Sequence, residues 1–463
     1  MKSLLANCMI AVLSCLLAAA CGGGGSGNGQ PQPTPSSINA LAAKSGNVRI
    51  SAPAGSSDPG SSVSIASGGS GNGQSGADGS FAFDAQATGN SMTVQYSKNG
   101  SVLMTTIAVK QQAELVSLNH FAAGSGPNDM LFNAGNLYVA NSLDNSVVKY
   151  SLSGIELASV LFPEFSSPSH LAADLDHLYC VSNGSNQLTR MSLADLSFNQ
   201  IQDVFQLEDS NAVFIGPAAA AVHEDRMYVP RSQVMAFPEF GSGDPTTYGT
   251  GLFSVVDYRS AAPTSSDIEC SGQNPQFIAV NKSRNELVVV CGGELNFDSD
   301  FTPNVSTESV VEFYSLGSDP ERLGSINMGE VGAGAIAISS DGATAYLGNS
   351  INGNLYKLDL ANRSILRGQS NPIVLTTEFT YIGDVEFSRD GKLILASSFN
   401  TDELFIVEVA TDTPGSGRYP DPIDLSQGAD LLAGAAAVEI GDEGNAWVLN
   451  GLANSVNRVQ LLP

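Results

Sequence analysis

Across the last two thirds of the chain, the apolar positions fall into a fifteen-residue frame that recurs five times without a gap. Tyr138-Val139-Ala140-Asn141 opens the first copy, Asn145 and Val147 follow at +7 and +9, and Leu152 closes it at +14. From Tyr179 the frame gives Ser182, Asn186, Leu188 and Leu193, and from Tyr346 it gives Asn349, Gly353, Leu355 and Leu360. From Leu395 it gives Ser398, Asp402, Leu404 and Val409, and from Trp447 it gives Asn450, Asn454, Val456 and Leu461. Each copy reads as strand, tight turn, strand. Asn and Asp suit the turn because they bond their own backbone and tolerate left-handed φ. Two degenerate copies fill the interval between Tyr179 and Tyr346. In these, Met227-Tyr228-Val229 pairs with Phe253 to Asp257, and Leu287 to Val290 pairs with Val310 to Tyr314.

A Gly- or Pro-bounded strand precedes each copy: Pro127 to Leu131, Pro168 to Ala172, Pro217 to Val222, Pro275 to Val280, Ala335 to Ile338, Asp384 to Phe387 and Ala437 to Ile440. Asp341-Gly342 and Asp390-Gly391 then turn the chain into the next strand. Residues 112–463 thus divide into seven units of about 50 residues, the size of a four-stranded propeller blade; six or eight units also fit. Glu114 to Leu118 has no unit of its own and is expected to complete the last blade, which removes an open sheet edge. Leu137-Tyr138-Val139-Ala140-Asn141-Ser142, with Ser146-Val147-Val148-Lys149-Tyr150, resembles the YVTN-type and NHL-type bacterial propeller repeats. The resemblance implies the fold and leaves the activity open, since such folds serve as lactonases, binding scaffolds and surface proteins.

Ahead of this region, residues 37–110 alternate in short stretches: Val48-Arg49-Ile50, Val63-Ser64-Ile65, Phe81-Ala82-Phe83 and Met92 to Tyr96. Each reads as a half-buried strand of a small β-sandwich, with Asn99-Gly100 as a hairpin turn. Asp78-Gly79-Ser80-Phe81 resembles the Asp-Gly-x-Phe turn of Ig-like and carboxypeptidase-regulatory-like domains, which implies a spacer. The chain is therefore expected to be all-β throughout.

The first twenty residues read as an export signal: Lys2 supplies the positive charge, and Leu4 to Leu17 is apolar but too short to span a bilayer. Leu16-Leu17-Ala18-Ala19-Ala20-Cys21 resembles the bacterial lipoprotein signal, with Ala18 where that pattern prefers Leu. The resemblance implies lipidation of Cys21 and a membrane anchor. Gly22 is not the Asp that resembles an inner-membrane retention signal, so the expected location is the outer membrane, on its periplasmic side or at the cell surface. Residues 21–36 are Gly-rich and then Pro-rich, as a tether would be.

Charge narrows the partners. Lys plus Arg total 20 against 46 for Asp plus Glu, a formal net charge of −26, which leaves no footprint for nucleic acid. Beyond the signal and Cys21, three cysteines remain. Cys270 and Cys291 are close enough in sequence for a disulfide; the alternative is burial of all three as small apolar residues. No CxxC or CxxCH context supports haem, thioredoxin chemistry or a zinc ribbon, and no GxSxG or HExxH motif appears.

Two features carry the candidate chemistry. In the third and fourth units the turn between the second and third strands swells to about residues 232–251 and 292–308. These loops carry Phe237, Glu239, Phe240, Asp244 and Tyr248, then Glu294, Phe297, Asp298, Asp300 and Phe301, an acidic and aromatic wall suited to a protein, a cationic ligand or a sugar. Asp298-Ser299-Asp300 offers oxygen ligands for calcium but lacks the remaining EF-hand positions. The second feature is the inner strands, whose alignment places Asp129, His170, Ala219, Phe277, Ala335, Asp384 and Ala437 at matching channel positions. Asp129, His170 and Asp384 are there the candidates for holding a metal or acting on a substrate. The leading expectation is an anchored lipoprotein that binds an envelope protein or small ligand through one propeller face, without a cofactor. The alternative is a metal-dependent, lactonase-like hydrolase working in the channel.

Overall fold

A computed structural model describes residues 39–42, 47–88, 91–98, 101–111, 114–238, 244–297, 302–412, 414, 422–426, 432–441 and 444–461. The signal, Cys21 and the tether lie outside the described residues, as do Asn99-Gly100, Glu239, Phe240, Asp298, Asp300 and Phe301. Every regular element among the described residues is a strand. The strands gather into two compact units that divide between Glu114 and Leu115.

The first unit is a two-sheet sandwich. Asn47–Ala52 pairs with Phe81–Ala87 and Asn39–Ala42 in one sheet. In the other, Ser91–Lys98 pairs with Ser62–Ser67 and with Ser101–Ala108, in register down to Lys98↔Ser101. Alternation fills the gap between the sheets: Val48, Ile50 and Phe81 from one meet Val63, Met92, Val94, Tyr96 and Ile107 from the other. Each such buried side chain contributes about 1.5–3 kcal/mol. Gly79 stands at φ +83, where an added Cβ would meet the Ser57 carbonyl at 2.2 Å, so the Asp78-Gly79 turn needs its glycine.

The second unit is a β-propeller. Among the described residues, seven antiparallel sheets, each with at least four strands, follow one another. In the first sheet Pro127–Asn133, Asn136–Asn141, Ser146–Ser151 and Glu156–Leu161 pair in sequence order. The last sheet takes Ala435–Ile440, Asn445–Asn450 and Ser455–Gln460 and is completed by Glu114–Ala122, the expected closure. The degenerate copies pair as read from the sequence, with Met227↔Val256 and Val289↔Glu312.

The second strand of each blade is the most apolar because both of its faces are covered. In the first blade Leu137 and Val139 pack with Trp447 and Leu449 of the last, while Tyr138 and Ala140 pack with Leu178 and Cys180 of the second. A strand sandwiched in this way reads as a near-continuous hydrophobic run. Outer strands are mostly exposed, Thr264–Glu269 being an example. At the +7 turn position Asn145, Asn186, Asp402 and Asn454 all take positive φ, between 50 and 56. The +3 residues Asn141, Ser182, Asn349, Ser398 and Asn450 are fully buried, and four of them brace the turn through their side chains: Asn141 to Ser146, Asn349 to the Val331 carbonyl, Ser398 with Thr380 and Thr401, and Asn450 to Ser455.

The inner strand of the third blade departs from expectation. Only Ala221–His223 forms a continuous strand, and Pro217 meets Arg231 through an isolated bridge. Other inner strands also begin at a proline and pair from it, so the break belongs to the facing strand, where Pro230 has no N–H to donate and only its carbonyl is met, by the Ala218 N–H at 3.3 Å. Elsewhere the inner strands share a β-bulge near their start, at Pro127/Asp129, Pro168/His170, Pro275/Phe277, Ile382/Asp384 and Ala435/Ala437. A bulge bends the strand and re-aims a side chain, and here it recurs at the positions aligned along the channel.

Candidate functional site: a clasped hairpin pair and an acidic channel

Both swollen loops fold back as β-hairpins. In the third blade Val234–Ala236 pairs with Thr247–Tyr248, and in the fourth Leu295–Phe297 pairs with Pro303–Val305. The blades beneath are undisturbed, with Arg231↔Leu252 and Cys291↔Val310 still in register at the base of each insertion.

The hairpins are clasped to each other. The Thr246 backbone N–H donates to Asn296 Oδ1 at 2.8 Å, and the Tyr248 hydroxyl donates to the Leu295 carbonyl at 3.1 Å. Asn296 is buried and its amide also donates to Ser306 Oγ at 2.8 Å. Burial pushes the Tyr248 phenol up to about 12. Tyr248, read from the sequence as part of the binding wall, is thus half-buried with its hydroxyl engaged between the hairpins. Phe297 is half-buried as well, whereas Asp244 is exposed. Phe237 is 38% exposed and stands beside Phe214, ring centroids 6.2 Å apart. Val213, 60% exposed, joins this edge through its N–H to the Val234 carbonyl at 2.9 Å. Sequence reading missed Val213 and Phe214, which precede the blade and reach the hairpin only through tertiary pairing.

Beneath the hairpin, Arg231 is nearly inaccessible. It donates to Asp267 Oδ2 at 2.9 Å and Ser254 Oγ at 3.1 Å, and lies 3.3 Å from Asp209 Oδ2. This charge-assisted set anchors the hairpin base to the blade.

In the channel the structure pairs two of the three candidates. His170 Nδ1 lies 3.0 Å from Asp129 Oδ2, with side chains 26% and 14% exposed. Burial alone would lower the His170 pKa, but the Asp129 carboxylate overrides it and holds the imidazole above its ordinary range. Asp384 is engaged differently. Its Oδ2 accepts the Val438 N–H of the next blade at 3.0 Å, just as Asp129 Oδ2 accepts the Leu171 N–H at 2.7 Å. Each aspartate also accepts the N–H of its successor, Met130 at 2.9 Å and Val385 at 2.8 Å. The two side chains therefore brace adjoining inner strands.

Burial, with Asp129's charge adding to it, pushes Asp384 up to about 6. Two carboxylates the sequence reading passed over stand near it. Burial and then Asp384 push Glu386 up to about 8, and burial and then Glu386 raise Glu439 well above its usual range. The signal for both was period-two alternation, since each lies two residues beyond an aligned channel position.

Cys270 and Cys291 are buried free thiols that lie, with the Glu312 carboxylate, within 4.8 Å of one another. The Cys270 thiol and burial push Cys291 well up, and burial pushes Cys180 up to about 12, so neither supplies a ready thiolate. Glu312 is already committed to the Ser271 and Gly272 N–H groups, both at 2.8 Å, to the Tyr314 hydroxyl at 2.8 Å and to Arg322 at 3.0 Å.

No protein-family model and no curated protein sequence matches this chain. Solved structures do. A streptogramin B lyase aligns with TM-score 0.54 at 11% identity, covering 76% of this chain and 98% of that one. A catalytically inactive virginiamycin B lyase from Staphylococcus aureus with quinupristin gives 0.53 at 10% identity, covering 76% and 99%. The β-propeller domain of Myceliophteria thermophila Cps50 (Swd1) gives 0.52 at 10% identity, covering 76% and 100%. At this identity the likeness concerns the fold alone. Lyases and a propeller domain with a different name align about equally well, which is why function has to come from the site.

Proposed function

We propose that this chain is an outer-membrane lipoprotein, anchored through Cys21, whose propeller binds an envelope protein by the end bearing the two hairpins. One observation carries the reading: neighbouring blades each extend a hairpin that their own ladders do not need, and the two are clasped through Asn296 and Tyr248. The clasp presents Phe237 and Val213 on a rigid edge rather than on independent loops, which lowers the ordering cost of docking. The test is crosslink-and-capture mass spectrometry from intact envelopes, comparing the full protein with one whose 233–250 and 294–307 segments are shortened. A specific partner lost with the hairpins supports the reading; an unchanged capture list refutes it. Cys21→Ala should release the protein from the membrane fraction, and unchanged fractionation refutes the anchor.

The His170–Asp129 pair favours a second reading, hydrolysis of a small substrate in the channel. Carboxyl groups pushed up to about 6 and about 8 sit near neutral pH, where a general acid or base works best. This reading predicts tightly held divalent metal in the purified protein and its loss in Asp384→Asn. Metal-free protein counts against it.

A further inference from the structure

The strongest unassigned cluster lies at the opposite end of the propeller from the hairpins, where first strands turn into second strands. Asp174 sits in the turn after Pro168–Ala173, His177 opens the strand His177–Ser182, and Asp225 sits in the corresponding turn of the third blade, at φ 57. Their ligand atoms all lie within 4.8 Å of one another. His177 Nδ1 is 3.6 Å from Asp174 Oδ1 and 3.8 Å from Asp225 Oδ1, too far for a hydrogen bond to either. That nitrogen is nonetheless buried and has no hydrogen-bond partner. A buried nitrogen facing two carboxylates without a hydrogen bond to either loses its hydration for no more than a long-range electrostatic contact.

From this geometry we propose that Asp174, His177 and Asp225 hold a divalent first-row transition ion of the zinc type, bridging the second and third blades. An ion at about 2.1 Å from each atom would set neighbouring ligand atoms about 3.4 Å apart in a tetrahedral site. The two separations from His177 need only a few tenths of an ångström of closure, and the two carboxylates, within 4.8 Å of one another, close by movement of their turns. One imidazole with two carboxylates suits such an ion, whereas calcium requires six or more oxygens. The side chains are 35%, 21% and 41% exposed for His177, Asp174 and Asp225, so water can fill a fourth position.

The surrounding shell is already built. Asp174 Oδ1 accepts the N–H groups of Asp176 at 2.9 Å and His177 at 2.7 Å, and its Oδ2 accepts the Tyr179 hydroxyl at 2.7 Å. Such partners fix a ligating carboxylate before the ion arrives. Arg190 Nη1, 3.6 Å from Asp225 Oδ1, opposes the ion and weakens the site. It is tied to Asp203 at 2.7 Å and to the Tyr258 carbonyl at 3.1 Å, so it does not fill the place between the three ligands.

The test is titration of chelator-stripped full-length protein with Co²⁺, followed by the visible absorption of tetrahedral cobalt and by displacement with Zn²⁺. One equivalent should bind. His177→Ala should abolish the absorption, Asp225→Asn should do so on an exposed turn where folding is not at stake, and Tyr179→Phe should weaken binding about tenfold. Circular dichroism confirms that each variant is folded. Absorption that survives both ligand variants, or that disappears in His170→Ala instead, overturns the assignment. So does the absence of cobalt binding at submillimolar concentration. The outcome is independent of hairpin-dependent capture, so the two proposals stand or fall separately.

Discussion

The first and third blades solve the same connection in opposite ways. In the first, Asn136–Asn141 passes to Ser146–Ser151 through a tight turn with Asn145 at φ 50. In the third, Arg226–Arg231 passes to Leu252–Asp257 through a hairpin that leaves the ladder in register to Arg231↔Leu252. Loop-closure entropy grows slowly with length, so a blade tolerates such an insertion at small cost. Tight turns are therefore part of the fold, whereas the hairpins are additions to it. Changes at the first kind of position should act on stability, and changes at the second on binding.

The largest stability effect is expected in the common blade core. Leu347 is fully inaccessible between the fourth and fifth blades, and Leu347→Ala should cost about 3 kcal/mol in urea unfolding.

Channel carboxyls come next, and their effect depends on pH. Asp384 and Glu386 are pushed up to about 6 and about 8 from ordinary values of 3.8 and 4.5. The folded state therefore holds protons that the unfolded chain has already released. Their contribution is fully present below the ordinary values and is lost as pH rises through about 6 and then about 8. Glu386→Gln should flatten this decline and raise stability at mildly alkaline pH by about 2 kcal/mol, less than the full shift because the side chain keeps some exposure. A decline of unchanged steepness in the variant would remove Glu386 from the account.

Asn454 tests the turns. It has φ 51, and its Oδ1 accepts the Gly126 N–H at 2.8 Å, across the ring closure. Asn454→Ala should cost about 1.5 kcal/mol, and Asn454→Gly should recover the backbone share. The smallest effect is Tyr248→Phe, which removes the hydroxyl of the clasp. It should cost about 1 kcal/mol or less globally, while amide exchange accelerates in the two hairpins and not in the first blade.

Much of this architecture was legible because propeller blades repeat. The fifteen-residue frame located the second and third strands, and the unassigned strand at Glu114 marked the closure. Loop length alone marked the third and fourth blades as different. The clasp was not legible, because Thr246 and Asn296 meet only when two blades stand side by side. For the same reason Asp384 read as a catalytic candidate, whereas its carboxylate also serves the Val438 N–H of the neighbouring blade. Asp225 escaped notice altogether, since nothing in its local sequence ties it to His177.

The most direct test of the hairpin end is envelope capture with Phe237→Ser and Val213→Ser together, two exposed positions outside the clasp contacts. The account predicts unchanged thermal stability and at least a tenfold loss of the captured partner. Undiminished capture by the folded double variant would contradict it.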